Sequence, residues 1–293
     1  MDFLSNLVNG ISLGSIYAVI ALGYTMVYGI AKMLNFAHGD IIMVGAYVCF
    51  YAVYHFGLPG WAGDLLAMLL CLILGVAVER LAYRPLRRAD SLAVLITAIG
   101  VSYFLENTAQ LVFGANNVFF PNLFEAEPIR LFDGRLVISV VTLASIGICM
   151  AVMVILTLFI EKTKLGKAMR AVSEDKDAAR LMGISVDRTI SVTFAIGSAL
   201  AALAGVLLCS AIPSLSPMTG SMPGIKAFTA AVFGGIGSIP GALLGGLLLG
   251  VIEVMGKAYI STQLSDAIVF LVLIIVLLVR PTGILGKKVQ EKV

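Results

Sequence analysis

The chain has 293 residues, of which 60% are hydrophobic and only 13% charged, with a formal net charge of +3 and a mean hydropathy of +1.03. A soluble domain is about one-quarter charged, so this composition excludes a water-soluble protein and predicts a polytopic membrane protein. The four cysteines (Cys49, Cys71, Cys149, Cys209) lie in apolar runs without metal-ligand spacing. They read as small buried hydrophobes and not as disulfides or a metal site.

In chain order, the start MDFLSNLVNG carries Asp2 and no basic region, so the first apolar run reads as a retained span. Apolar segments able to cross a hydrocarbon core of ~30 Å are expected near 8–31, 38–56, 61–83, 91–113, 137–160, 189–212, 224–238, 240–257 and 265–280. The fold class is therefore all-α, with about 8–10 transmembrane helices in one domain over 1–293. The seventh segment is short and glycine-rich, which also suits a re-entrant hairpin.

Basic residues orient the spans. Lys32 follows the first; Arg80, Arg84, Arg87 and Arg88 follow the third. Lys162, Lys164, Lys167, Arg170, Lys176, Arg180 and Arg188 follow the fifth, and Arg280, Lys287, Lys288 and Lys292 close the chain. One topology places all of these in the cytoplasm, with an external N-terminus, an external loop at 114–136 and a cytoplasmic C-terminus. It requires 224–238 to cross, because otherwise the lysine-rich tail lies outside.

Small residues at four-residue spacing predict close helix packing. They are Gly197, Ala201 and Gly205, then Gly237, Gly241 and Gly245, with Gly246 and Gly250 on a neighbouring ridge. The segment SPMTGSMPG (216–224) reads as an external loop folded over the sixth and seventh spans. Polar groups within apolar runs are costly in lipid and mark either a satisfied interhelical bond or a translocation path. The candidates are Asn35, His38 and Asp40 in LNFAHGD, Glu106 in the fourth span and Glu253 in the eighth.

Catalytic signatures are missing. No G-x-x-x-x-G-K-[ST], H-E-x-x-H or G-x-S-x-G occurs, and there are two histidines, His38 and His55. No catalytic residue is expected, and the chain lacks the usual device for holding ATP.

One polar stretch, 161–188, stands apart. Ser173 suits a helix N-cap, and Glu174, Asp175 and Asp177 place negative charge in the first turns. Ala178, Ala179, Arg180, Leu181 and Met182 favour helix, and Gly183 supplies a left-handed stop. So short a helix is marginal alone, and Ala178, Leu181 and Met182 give it a small apolar face with which to dock. An amphipathic connector on the membrane surface has the same pattern.

The run Asp177-Ala178-Ala179-x-x-x-Gly183 resembles the E-A-A-x-x-x-G loop of permease subunits in bacterial ABC importers, with Asp for Glu and no Leu-Pro pair after it. LNFAHGDIIMVGAY (34–47), GKAMRAVSEDKDAARLMGI (166–184) and FGGIGSIPGALLGGLLLGVIE (233–253) are similar to the branched-chain amino-acid permease family, in its shorter membrane subunit. The resemblance implies an ABC importer permease fold carrying a coupling loop at 161–188, located in the bacterial inner membrane. It implies Glu174, Asp175, Asp177, Ala178, Ala179, Arg180, Leu181, Met182 and Gly183 as the ATPase-coupling residues. It also implies partners: a second, longer permease homologue, two cytoplasmic ATPases that bind ATP and Mg²⁺, and an external solute-binding protein. This chain would hold no cofactor and contact no nucleic acid. Urea and short-amide importers have similar permeases, and a stand-alone secondary transporter is the reading from another class.

Overall fold

The fold is described from a computed structural model for residues 2–87, 89–124, 127–131 and 136–286. Long apolar runs broken by glycine, proline and short polar segments give, in order, α1 (Asp2–Ala31), α2 (His38–Tyr54), α3 (Gly60–Val78) and α4 (Ser91–Phe113). After these come α5 (Val140–Lys162), α6 (Lys164–Glu174), α7 (Lys176–Leu181), α8 (Val186–Ala211), α9 (Ser221–Gly234), α10 (Ile239–Tyr259) and α11 (Ser265–Val279). Helix α3 does not stop at Val78. It passes through a π-helical turn, Glu79–Tyr83, and a 3₁₀ turn, Arg84–Leu86. Among the described residues, nine apolar helices thus stand where nine spans are expected, and six are long enough to cross a membrane by length and composition.

The segment ends differ from expectation in instructive ways. Helix α1 extends back to Asp2. The expected fifth span loses residues 137–139, because Leu136–Ile138 forms strand β3, paired antiparallel with β2 (Ile129–Leu131). Ser139 then caps α5 by accepting from the Val141 N–H at 3.2 Å. The seventh segment is shifted to Ser221–Gly234, since Gly235 and Gly237 adopt φ +107 and +91 and cannot continue a helix. Gly237 therefore belongs to a turn and not to the expected ridge. The 216–224 segment is not all loop: Ser221–Gly224 is the first turn of α9. At 14, 15 and 17 residues, α9, α11 and α2 fall short of a full ~30 Å crossing. Arg88, Lys287, Lys288 and Lys292 lie outside the described residues.

Helix α1 is the hub. Its hydrophobic window is 89% buried and that of α8 83%, against 22% for α4 and 17% for α5. The core is therefore α1 and α8, while α4 and α5 turn their surfaces outward to lipid or to a partner. Small residues make the seams. Gly10 and Gly14 lie against Val251 and Leu247, and Gly246 and Gly250 against Ala18 and Gly14. Gly234 meets Gly241, and Gly245 meets Ala230, which seats α9 on α10. On the other side Gly23 faces Gly197, and Gly205 sits on the Ile42 carbonyl. With lipid as solvent, this backbone approach supplies the attraction between helices. A side chain at Gly250 would strike the Gly14 backbone. Gly250→Val should therefore cost more than the ~1–3 kcal/mol of ordinary overpacking, and size-exclusion chromatography in detergent should show the monodisperse species lost.

The 32–37 turn folds back beside α1. The His38 ring lies next to Gly23, well before the end of α1 at Ala31, so α2 begins partway along α1. The first turn of α9 meets it there, with Gly39 pressed against Gly220 and Gly224. Outside the helical core, β1 (Val118–Phe119) pairs antiparallel with β4 (Ser214–Leu215), clasping the α4–α5 connection to the α8–α9 connection.

Candidate functional site

The polar stretch folds into two short helices, not one. Thr163 caps α6 by accepting from the Gly166 N–H at 2.9 Å. The buried face of this amphipathic helix is Gly166, Met169 and Val172. Ser173, expected as a cap, lies inside α6 and donates to the Arg170 carbonyl at 2.7 Å. The cap of α7 is Asp175, whose extended backbone lets Oδ1 accept from the Asp177 and Ala178 N–H groups at 2.9 and 3.0 Å. Glu174 ends α6 and so is not in the first turn of α7. The far end closes as expected. Gly183 has φ +79, its N–H reaches the Arg180 carbonyl, and the Ile184 N–H reaches the Ala179 carbonyl. That is a Schellman stop.

Helix α7 is anchored by Ala179, which is buried, and by Lys176, whose Nζ donates to the Ala31 carbonyl at the end of α1 at 2.9 Å. Burial, with Arg87, Lys32 and Arg180 nearby, holds the Lys176 ammonium below its ordinary pKa. Asp177 pairs with Arg180 at 3.3 Å on the exposed side. Leu181 and Met182 are 90% and 81% exposed, and Ala178 lies open beside them. The apolar face expected from the sequence exists and faces outward.

Beside α7 lies a cluster of charged groups whose pairing the sequence did not reveal. Asp187, in the first turn of α8, accepts from Arg84 at 2.7 Å and from Arg87. Arg87 also pairs with the fully buried Glu79, and Glu79 accepts from Ser191 at 2.6 Å. From the same π-helical turn, the Tyr83 hydroxyl donates to Asn35 Oδ1 at 2.8 Å.

The five polar candidates separate into two groups. Asn35, His38, Asp40 and Glu106 are all buried around the junction of α2 with α9. Glu106 accepts from Ser221 at 2.6 Å, at the first residue of α9, and Asp40 sits in the first turn of α2. Both acids thus lie where helix dipoles favour negative charge. The His38 ring packs on Tyr24 with centroids 4.4 Å apart. Asn35 borders a narrow, partly open cleft of about 10 Å³, together with Tyr24, Tyr28, Met33 and Phe228, which is space for about one water molecule.

Glu253 lies elsewhere, in an ion cluster. It accepts from Lys226 at 2.8 Å, Lys257 at 2.6 Å and the Tyr17 hydroxyl at 2.9 Å, and Lys226 also pairs with Asp266 at 2.7 Å. Lys226 carries a signal in the sequence as well, as a lysine inside an apolar helix. All four cysteines are free and buried, and no group of metal-ligating side chains occurs among the described residues.

Comparison with known proteins gives this arrangement its context. The family described as "Branched-chain amino acid transport system / permease component" matches residues 6–277. The high-affinity branched-chain amino acid transport system permease protein LivH of Escherichia coli is 46% identical, covering 99% of this chain and 98% of that protein. BraD of Pseudomonas aeruginosa, named for the same transport system, is also 46% identical over the same shares. LivM of Escherichia coli is 27% identical, covering 94% of this chain and 68% of that protein. A multi-pass, all-α membrane protein with these relatives is a transport component and not an enzyme: the chain belongs to the family of permease components of branched-chain amino acid transport systems.

Proposed function

We propose that the chain is one membrane-spanning subunit of an ATP-driven ABC importer that carries leucine, isoleucine and valine inward. The observation that carries this reading is α7. Two large apolar side chains, Leu181 and Met182, are exposed on an arm tied to α1 and α8, in a family of permease components. An exposed apolar pair of this kind serves a partner surface. The partner is a cytoplasmic ATPase, one of two, which binds ATP and Mg²⁺ and so supplies chemistry for which this chain has no phosphate loop. Glu174, Asp175, Asp177 and Arg180 form the polar rim of the contact. A second permease related to LivM completes the path, and an external binding protein delivers cargo. The distribution of Lys and Arg favours an external N-terminus, with α7 and the C-terminus cytoplasmic. Asn35, His38, Asp40, Glu106 and Glu253 serve the path, directly or by fixing its helices.

Proteoliposomes holding this chain, its second permease, the ATPases and the binding protein should take up radiolabelled leucine only with ATP on the ATPase side. Unlabelled isoleucine and valine should compete, whereas urea and acetamide should not. Uptake by this chain alone under an ion gradient would overturn the ABC reading. Competition by urea in place of isoleucine would overturn the cargo.

A further inference from the structure

The segment 31–35 is held at both ends by groups that lead back to α7. At one end Lys176 of α7 donates to the Ala31 carbonyl at 2.9 Å. At the other, Asn35 Oδ1 accepts from Tyr83 at 2.8 Å. Tyr83 is fully buried and packs on Phe194 of α8, with ring centroids 5.3 Å apart. It closes the π-helical turn of which Glu79 is the first residue. Glu79 bonds Ser191 of α8 and pairs with Arg87, and Arg87 holds Asp187. Asp187 follows α7 by only a short linker, the first part of which is the Schellman stop. The first two turns of α8 are thus bolted to the end of α3 at two points, and the end of α3 is bolted to Asn35.

We propose that the Glu79–Arg87–Asp187 cluster and the Tyr83–Asn35 hydrogen bond transmit displacement of α7 into the 32–37 turn. That displacement opens or closes the cleft bordered by Tyr24, Asn35 and Phe228. The proposal rests on α7 being the ATPase contact. Its physical basis is the mixture of rigid and yielding parts. The Schellman stop ties α7 to the start of α8. Asp187 there, although half-exposed, grips Arg87, whose other partner is the fully buried Glu79. Losing Arg87 strands that buried carboxylate, so the end of α3 stays with α8. The π-helical turn breaks the α-helical register just before the closing 3₁₀ turn, and so is the place where the end of that helix can change. Asn35 is also poised to act on the cleft. Its Nδ2 has no hydrogen-bond partner among the described residues, so its orientation depends on Tyr83.

Tyr83→Phe removes one hydroxyl and leaves the ring on Phe194. In proteoliposomes of the complete importer, the ratio of ATP hydrolysed to leucine imported should rise about fivefold. That factor corresponds to the ~1 kcal/mol of one buried hydrogen bond. ATPase turnover should stay within twofold of the parent. Lys176→Met, which cuts the second tie at Ala31, should raise the same ratio. Parent-like ratios in both variants would overturn the proposal. So would uptake and hydrolysis falling together, which is what a merely structural loss gives. If the parent complex shows no ATP-dependent uptake, the importer reading fails first, so the two failures are told apart.

Discussion

Leu181→Asp should abolish ATP-driven uptake while leaving the protein in the membrane at its normal level. Leu181 is 90% exposed, so the fold loses nothing when its side chain is replaced. A groove that buries it loses roughly 1.5–3 kcal/mol of apolar burial and must also accommodate a carboxylate stripped of water, which costs more again. The sum corresponds to well over a tenfold loss of ATPase binding. Co-purification of the ATPases from detergent extracts, with leucine uptake in parallel, checks the result. A variant that still retains its ATPases and transports normally would remove α7 from the docking role.

Glu253→Ala should be the most damaging single change inside the helical core. The carboxylate is 1% exposed and neutralises Lys226, itself 8% exposed, while accepting from Lys257 and Tyr17. Removing one partner of a buried ion pair costs about 3–5 kcal/mol; because Asp266 stays 2.7 Å from Lys226, the loss should fall toward the low end of that range. The pair also joins α9 to α10, and Lys226 joins α9 to Asp266 of α11. The loss should therefore appear as a lower melting temperature in detergent and as less folded protein in the membrane. Replacing both charges with apolar side chains, Glu253→Leu together with Lys226→Met, should recover most of it, since no buried charge is then stranded. If the double variant is no more stable than Glu253→Ala, the damage comes from lost packing and not from charge.

The helices were legible in the sequence because lipid imposes long apolar runs, and each of the nine helices lies in a run of that kind. Their ends were less so. The shift of α9 depends on the positive φ of Gly235 and Gly237, and composition does not say which glycine in a rich segment adopts it. The start of α7 is ambiguous in the sequence because Ser173 and Asp175 are both good caps two residues apart. Backbone direction decided between them, in favour of the residue that reaches two N–H groups. Gly183 was readable because a glycine after a helical run has one common use. The charged pairs were not readable. Arg87 and Asp187 are 100 residues apart, and Tyr83 and Asn35 are 48, so no local spacing links them. The polar candidates in LNFAHGD could be picked out because they interrupt two apolar runs. Their joining with Glu106 and Ser221 is a property of tertiary structure alone.

The burial of α1 among late elements bears on how the protein is made. Tyr17 and its partner Glu253 are 236 residues apart, and at ~5–20 residues per second their synthesis is separated by roughly 10–50 s. Throughout that interval the glycine seam of α1 has no α10 to receive it, and the cation-bearing α9 does not yet exist. Helix α1 therefore waits for much of the chain to be made before its packing is complete. A ribosome that stalls after α8 leaves its narrow backbone groove open to the small-residue ridge of any other helix in the membrane.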